Sequence, residues 1–515
     1  MNATPEESPL AKLYKPMIEH DGERARQELR ALVAREPDSV EARALLAIGY
    51  LRCLDFAAAV EANREVLKLE PGHTEALRNL ALCLHGLGDT EAAMDAYVHA
   101  FKVSRSTDAA AMAAIMTHRL GRLEDARRSY DFLLDRAPLD NLNLITALRG
   151  LMNLMRDAGR PLAGDRYAQE LLHRHRRKTG EVSSFLIQRD NATGFHEWFR
   201  LVDKSHLGEV LRKGAVEDPA GARIPETFNL PRDRAALAAF AAGAPPETLY
   251  IVKPIRGSGG QGIAVVGDLS GTIERSDVVV QRYLSRPYLV DGRKGHLRIY
   301  AMVTGCDPLR AYVYTEGIVR FAPEPYDPRP ERLSEISMHV TNTALHLGHP
   351  GLTISDDPAK DDEGSIWSLS AMLRRIEADG HDPQAVFGKI SDVVGWFLRL
   401  LRRDGFFHRQ AAGGPQRSYG PKLFGFDILL DAETDPWLIE IQAAPAAVGA
   451  ALVNRINTEL YETIFKMSNA VLIHDGMPAE QIAGLCKDPG ALRAREVEVE
   501  LANRGRFMPL ALDGV

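Results

Sequence analysis

The chain has 515 residues, of which 45% are hydrophobic and 26% charged, with a formal net charge of -7. These values are ordinary for a globular protein of about two to four domains, and the negative charge argues against nucleic acid or anionic membranes as general partners. Four scattered cysteines lack the spacing of a zinc site or disulfide framework. No signal-like or membrane-spanning apolar run is present. We therefore expect a cytoplasmic protein.

The first third of the sequence repeats with a period of about 34 residues. Pro37 and Pro71 lie 34 positions apart, one further period falls on Arg105, and Pro138 follows 33 positions later. Asn63 stands where the later units have an aromatic residue. Small or aromatic residues recur at matching places in each unit, namely Ala47, Ala59, Ala81, Ala93, Tyr97, Ala114, Ala126 and Tyr130. Small residues at such positions let two helices cross closely.

This pattern resembles the tetratricopeptide repeat over residues 12–178. The resemblance implies an all-α solenoid whose concave face binds a peptide or protein, and a generic helical bundle is the alternative. The basic run at 173–178 is interpreted as a solvated helix end. We expect residues 1–11 to be flexible and residues 179–200 to link the repeats to a second unit.

A glycine-rich loop interrupts the segment YIVKPIRGSGGQGIAVV at residues 250–266. A dinucleotide fold needs a helix after this loop, a Walker loop ends in Gly-Lys-Ser/Thr, and a kinase carries its lysine on the following strand. Here Lys253 precedes the glycines and a second β run follows them. We predict a hairpin that folds over phosphates, with a mobile surface hairpin as the alternative. Its loop residues are Gly257, Ser258, Gly259, Gly260, Gln261 and Gly262.

Two further strands are predicted in FGFDILLDAETDPWLIEIQAAPA, residues 424–446. Asp427 lies on the first strand, and Glu440 and Gln442 lie two positions apart on the second, so that both point to one face. Hard oxygen ligands of this kind suit Mg²⁺ shared with nucleotide phosphates. An ordinary hairpin with solvated acids is less consistent with the apolar residues on both sides of Glu440.

Four blocks together resemble the tubulin–tyrosine ligase-like family of the ATP-grasp superfamily. They are YIVKPIRGSGGQGIAVV, the segment 278–326, MHVTNTALH at 338–346, and LFGFDILLDAETDPWLIEIQAAPA at 423–446. The resemblance implies an α+β ligase domain over residues 201–470. Residues 471–515 then form a C-terminal extension, whose alternating charged sequence predicts either a strand or a helix.

The resemblance also implies an ATP site. Lys204 and Lys253 match two lysines that contact the nucleotide phosphates, and Lys294 matches a further nucleotide contact. The segment that holds adenine, largely through backbone groups, corresponds to Gln281, Arg282, Tyr283 and Leu284.

The reacting groups are implied in the same way. Arg298 matches a contact to the γ-phosphate, Arg320 matches an arginine that holds the reacting carboxylate or acyl-phosphate, and Asn342 belongs to the same active-site block. The positions of the Mg²⁺ ligands are occupied by Asp427, Glu440 and Gln442.

Two of these positions depart from the family pattern. His296, at a cofactor-binding position, replaces the usual aspartate, and Gln442 replaces the usual asparagine while keeping an amide oxygen for the metal. Both changes are compatible with altered specificity or reduced activity. His339 is expected to be a packed structural histidine.

The implied function is an ADP-forming carboxylate–amine ligase that uses ATP and Mg²⁺. It would add a free amino acid to a peptide or protein recruited by the helical repeats. A small-molecule amide ligase is one alternative. A nucleotide-binding pseudoenzyme that acts as a repeat-based adaptor is another, and the departures at His296 and Gln442 favour it.

Overall fold

The computed structural model describes residues 8–136, 201–407, 422–442, 450–467 and 488–512, and positions 147, 150, 151 and 154. Positions 21, 53–54, 202–203, 219–220, 222, 256–259, 261, 276–277 and 307 fall outside the description. Contacts divide the chain into two units, one of residues 1–177, 413–416 and 474–493, and one of the remainder. The linker expected at 179–200 and the basic run at 173–178 lie outside the described residues.

Helices make up the described part of the first unit. They are α1 Pro9–His20, α2 Gly22–Arg35, α3 Val40–Arg52, α4 Phe56–Leu69, α5 Thr74–Gly86, α6 Thr90–Ser104, α7 Thr107–Arg119 and α8 Leu123–Arg136. From α3 onward, alternate helices begin 33 or 34 residues apart, and each helix packs against the next. Helix α1 begins at Pro9, so residues 9–11 are helical, and the flexibility expected for residues 1–11 stays a prediction.

The predicted small residues lie where helices pack. The alanines at 47, 59, 81, 93, 114 and 126 are all fully buried, as is Tyr130, and Tyr97 is nearly so. Asn63 is also buried, and its side-chain amide donates to the carbonyl oxygen of Ala59 at 2.8 Å. Arg105 caps α6 in a left-handed conformation, with φ 55°. The all-α prediction is confirmed, and the assignment to tetratricopeptide repeats stays a prediction.

The second unit begins with a small antiparallel sheet. Its elements are α9 Lys204–Glu217, β1 Thr227–Asn229, α10 Arg234–Gly243, β2 Tyr250–Pro254, β3 Ala264–Val266 and β4 Val278–Arg282, with strand order β1-β4-β2-β3. Strands β2 and β3 flank the glycine loop and pair antiparallel. Tyr250 and Val252 pack with α10 in an apolar core on one face, whereas Lys253 lies on the other.

A larger antiparallel sheet follows, with order β10-β9-β6-β7-β11, β5 beside β6 and β8 beside β7. The strands are β5 Leu289–Val290, β6 Arg293–Cys306, β7 Leu309–Phe321, β8 Ile366–Ser368, β9 Lys422–Leu430, β10 Pro436–Gln442 and β11 Phe507–Pro509. The helices are α11 Ile336–His339, α12 Leu369–Ala378, α13 Pro383–Arg403, α14 Ala451–Met467 and α15 Pro489–Ala502. This arrangement confirms the α+β prediction. No described helix has the length and hydropathy needed to cross a membrane.

The alternation of β6 separates its two faces. Leu297 and Ile299 join the main apolar core with residues of α12 and α13. Tyr300 and Met302, on the opposite face, pack against residues of α14. Toward the start of the strand this second face carries Lys294, His296 and Arg298 in place of apolar residues. The predicted site residues therefore lie together near the start of β6, on the same face that α14 packs against near Tyr300 and Met302.

The C-terminal residues complete the larger sheet. Strand β11 pairs with β7, with Phe507 opposite Tyr314. On α15, the buried Glu500 accepts hydrogen bonds from Thr304 and Tyr312, both at 2.9 Å. The expected extension thus contains both a helix and a strand, and the strand belongs to the sheet that carries the site.

Candidate active site

Three adjacent strands bring a buried ion pair and a second carboxylate together. Asp427 on β9 stands opposite Arg298 on β6 and opposite Glu440 on β10. The Arg298 guanidinium donates through Nε to Asp427 Oδ1 and through Nη2 to Oδ2, the latter at 3.0 Å. Since Arg298 is 9% and Asp427 6% exposed, water screens this two-bonded pair little.

The surroundings set the charge of the pair. Burial alone would raise the pKa of Asp427, but Arg298, His296 and Arg320 together hold it below its ordinary value. Burial alone would lower the pKa of Arg298, and Asp427 raises it above its ordinary value. Both groups are therefore charged at neutral pH.

His296 lies beside this pair on β6. It is buried, its Nδ1 shares a 2.5 Å hydrogen bond with Thr341 Oγ1, and its Nε2 is 3.9 Å from Asp427 Oδ1. Burial lowers the pKa of His296 to about 4, and the neighbouring arginines Arg320 and Arg298 reinforce the effect against the attraction of Asp427. A neutral imidazole thus stands where the family pattern has a carboxylate.

Arg320 on β7 is paired in register with His296. Burial lowers the pKa of Arg320, and Arg298 lowers it further. Within the part of the chain that the structure describes, its side chain has neither a hydrogen bond nor an ion pair. A half-buried guanidinium in that condition suits an anionic ligand.

The predicted metal ligands share one region of β9 and β10. Glu440 stands opposite Asp427 after a bulge that follows Leu438, and Gln442 stands opposite Gly425. Glu440 and Gln442 are both half-buried, and the residue between them, Ile441, joins the apolar core. Their oxygen atoms fit a hard divalent cation such as Mg²⁺. Among the described residues, no group of three His, Cys, Asp or Glu side chains is placed to hold a metal ion. The ligands available at this site are the carboxylates of Asp427 and Glu440 and the amide of Gln442.

Lys253 extends the site into the smaller sheet. Its Nζ donates to Gln281 Oε1 at 3.0 Å, and Gln281 Nε2 donates to Thr227 Oγ1 at 2.9 Å. Burial lowers the pKa of Lys253, Glu440 and Asp427 act to raise it, and Lys204 lowers it further. The two predicted phosphate-binding lysines and the two carboxylates therefore lie within electrostatic reach of one another.

Lys294 on β6 contacts Tyr283 of the adenine segment, a contact that the sequence did not predict. Its Nζ donates to the Tyr283 hydroxyl at 3.0 Å and to the His339 carbonyl at 3.1 Å, and lies 4.2 Å from the Tyr283 ring centre. Burial, and then Lys253, lowers the pKa of Lys294 to about 7. Because His339 Nε2 faces the Arg332 carbonyl oxygen, it carries the proton, and His339 Nδ1 accepts from Tyr283.

The adenine segment has part of its backbone already bonded. The amides of Arg282 and Tyr283 donate to the carbonyl oxygens of Glu226 and Leu249, each at 2.8 Å. The Leu284 amide has no partner among the described residues. The Arg282 side chain pairs with Glu226 and lies on the sheet face opposite Gln281, so side-chain contact with a nucleotide bound beside Lys253 is not expected for Arg282.

The described part of the glycine loop approaches Asn342. Gly260 and Gly262 have φ values of 87° and 70°, which only glycine adopts readily. A Cβ on Gly260 would lie 3.2 Å from Asn342 Nδ2. Gly257, Ser258, Gly259 and Gln261 lie outside the described residues.

Comparison with known proteins identifies the family of the second unit. The model of the Tubulin-tyrosine ligase family matches residues 189–478, more than half of the chain. A probable beta-tubulin polyglutamylase from Tetrahymena thermophila is 32% identical over 49% of this chain and 22% of its own length. The human tubulin polyglutamylase TTLL5 is 31% identical over 47% of this chain and 19% of its own length. The mouse tubulin monoglutamylase TTLL4 is 34% identical over 43% of this chain and 18% of its own length. The chain thus spans about a fifth of the length of these relatives.

Proposed function

Because the chain belongs to the tubulin–tyrosine ligase family, we propose that it is an ATP-dependent ligase that joins an amino acid to a carboxyl group of a protein. The observation that carries the proposal is the grouping of Lys253, Arg298 and Arg320 around the carboxylates of Asp427 and Glu440. Three basic side chains against two carboxylates give this grouping an excess of positive charge. Such an excess suits the phosphates of ATP and a reacting carboxylate.

The chemistry follows from these charges. The acceptor carboxylate attacks the γ-phosphorus of ATP, which gives an acyl-phosphate and ADP; the amine of the amino acid then displaces phosphate and forms the amide. Lys253 and Arg298 offset the charge that develops on the transferred phosphoryl group. Arg320 holds the acceptor carboxylate, which its planar guanidinium can bind with two hydrogen bonds.

Mg²⁺, held by Asp427, Glu440 and Gln442 when bound, would supply further neutralisation of phosphate charge. The Leu284 amide, which has no hydrogen-bond partner in the described part of the chain, is suited to donate to adenine. The glycine loop, which meets Asn342 at Gly260, covers the phosphates and keeps water from the acyl-phosphate.

Glutamate is the amino acid that we propose, since the similar proteins carry the names tubulin polyglutamylase and monoglutamylase. Tubulin is then the first acceptor to test. We propose that the helical unit recruits the acceptor, because helical repeats of this spacing present extended surfaces to peptides and proteins.

The purified full chain is incubated with ATP, Mg²⁺ and radiolabelled glutamate, first with tubulin and then with fractionated cell lysate. Phosphate release and label in protein are measured, and mass spectrometry locates the modified residue. We expect the wild-type chain to release phosphate and to label protein, and Glu440→Gln to do neither. The same assay with each of the other common amino acids identifies a different donor.

Two outcomes would favour other functions. Phosphate release with labelled small molecules but no labelled protein would indicate a small-molecule amide ligase. Intact nucleotide binding without phosphate release under every condition would contradict the ligase proposal and indicate an adaptor.

A further inference from the structure

Trp437 contacts two arginines that approach it from different parts of the second unit. The Arg282 guanidinium carbon lies 5.3 Å from the indole centre, and that of Arg223 lies 6.0 Å from it. Arg282 is the last residue of β4 in the smaller sheet, whereas Trp437 is the second residue of β10 in the larger one. The stack therefore joins the two sheets. We call it the arginine–tryptophan clasp, and it consists of Arg223, Arg282 and Trp437.

Backbone hydrogen bonds join the same two sheets beside the clasp. The Leu438 amide on β10 donates to the Arg223 carbonyl oxygen at 2.8 Å. Three residues further on, the Glu226 carbonyl oxygen accepts from the Arg282 amide on β4, also at 2.8 Å. The short segment 223–226 is thus bonded to both sheets: its first residue, Arg223, also contacts the indole ring, and its last residue, Glu226, also pairs with the Arg282 side chain.

The orientation of the indole ring is fixed independently. Trp437 Nε1 donates to Asp431 Oδ2 at 2.8 Å. The other oxygen of Asp431 accepts from the backbone amides of Glu433 and Asp435, so that the carboxylate is part of the turn between β9 and β10. Arg223 is further paired with Asp435, at 3.6 Å. The ring is therefore held by the hairpin that carries the site carboxylates.

We propose that Trp437 is a positioning residue that sets the adenine segment at a fixed distance from the carboxylates of β9 and β10. The proposal rests on the proposed function, because it assigns β4 to adenine and Asp427 and Glu440 to the phosphate end. Trp437 is three residues from Glu440 on one strand, and Arg282 lies within the adenine segment. A nucleotide has a fixed length, so a clasp that holds both ends of its site in register organises the site before binding.

Substitutions separate this role from general stability. Trp437→Ala removes the ring, Trp437→Phe keeps an aromatic face, and Arg282→Lys keeps the charge but removes the planar guanidinium. Arg286→Ala is the matched control, because Arg286 is 77% exposed and pairs with Glu433 on the same turn without a ring contact to Trp437. The dissociation constant of a non-hydrolysable ATP analogue is measured for each full-length variant by calorimetry, together with the melting temperature without nucleotide.

We expect Trp437→Ala to weaken analogue binding about tenfold, because both ring–cation contacts are lost. Arg282→Lys changes only one of the two contacts, so it should weaken binding about threefold. Trp437→Phe should retain most of the affinity, and Arg286→Ala all of it. If Trp437→Ala does not fold, Arg282→Lys decides the question. If the wild-type chain binds the analogue and Arg282→Lys binds it with the same affinity, the clasp is overturned and the proposed function is not. A wild-type chain that binds no analogue overturns the clasp and the proposed function together.

Discussion

Arg298 and Asp427 are 129 positions apart in the chain, yet they are direct partners across β6 and β9 and share a buried, two-bonded ion pair. Replacing Arg298 by lysine keeps the charge but removes the fork that matches the carboxylate. We expect Arg298→Lys to lose about 1 to 3 kcal/mol of unfolding free energy and about 100-fold in phosphate release. Urea unfolding and a phosphate assay measure both. Arg329→Lys, at an exposed ion pair, should change neither.

Glu440→Gln tests the carboxylate opposite Asp427. An amide of the same shape keeps the strand packing but removes a negative charge from the predicted metal site. Phosphate release should fall by at least about 100-fold while the melting temperature stays within a few degrees of the wild type. Glu433→Gln, on the exposed turn of the same hairpin, is the control. Wild-type turnover in Glu440→Gln would exclude this residue from metal binding.

His296 makes stability sensitive to acid. Its pKa is about 4 in the folded chain against 6.5 ordinarily, so between those values the unfolded chain binds a proton that the folded chain does not. Its contribution to unfolding free energy therefore falls by about 1.4 kcal/mol per pH unit as pH decreases from 6.5 toward 4. Urea unfolding at pH 7, 5.5 and 4.5 should show a shallower loss for His296→Gln than for the wild type. Equal losses of unfolding free energy in the two proteins would contradict a lowered pKa for His296.

Gly260→Ala tests the glycine loop. The left-handed conformation and the nearby Asn342 amide both oppose a Cβ, and we expect a loss of about 1 kcal/mol in stability. The affinity for a non-hydrolysable ATP analogue should also fall, because a Cβ would displace residue 260 from Asn342 in the proposed nucleotide site. Gly243→Ala is a matched control, since a Cβ there meets nothing within 4 Å. Analogue affinity and melting temperature are compared for the two variants.

Glu500→Gln tests the contact between α15 and the larger sheet. Glu500 is 5% exposed and accepts from Thr304, Tyr312 and Arg310. Removing its charge leaves Arg310 without its closest buried partner, which costs about 3 kcal/mol. Denaturant unfolding should show this loss. Glu498→Gln, two residues away and 67% exposed, should be nearly neutral.

Local pattern was sufficient for much of the fold. The period of about 34 residues predicted the buried alanines because helix crossings require small residues at fixed spacing. The strand–loop–strand pattern around the glycines predicted the β2–β3 hairpin, and alternation placed Glu440 and Gln442 on one face. These features depend on neighbours that are close in the chain.

Other features depend on pairings between distant segments. Nothing local in the sequence shows that Lys294 lies against Tyr283 and the His339 carbonyl, or that Arg282 reaches the Trp437 ring. The bulge before Glu440, which brings this residue opposite Asp427, is equally invisible. Strand β11 has only three residues, Phe507–Pro509, which is too short for a periodic apolar pattern, so the sequence does not distinguish a strand from a helix in this extension.

The pairing of β11 with β7 has a consequence for folding during synthesis. Phe507 lies opposite Tyr314, 193 positions earlier in the chain, so the larger sheet cannot acquire this strand until the ribosome has passed residue 509. The N-terminal helices, by contrast, pack against their immediate neighbours and can form as they emerge. We therefore expect nascent chains that end before β11 to present a folded helical unit together with a second unit in which residues 312–314 of β7 lack their strand partner. An unpaired edge of this kind favours association between chains.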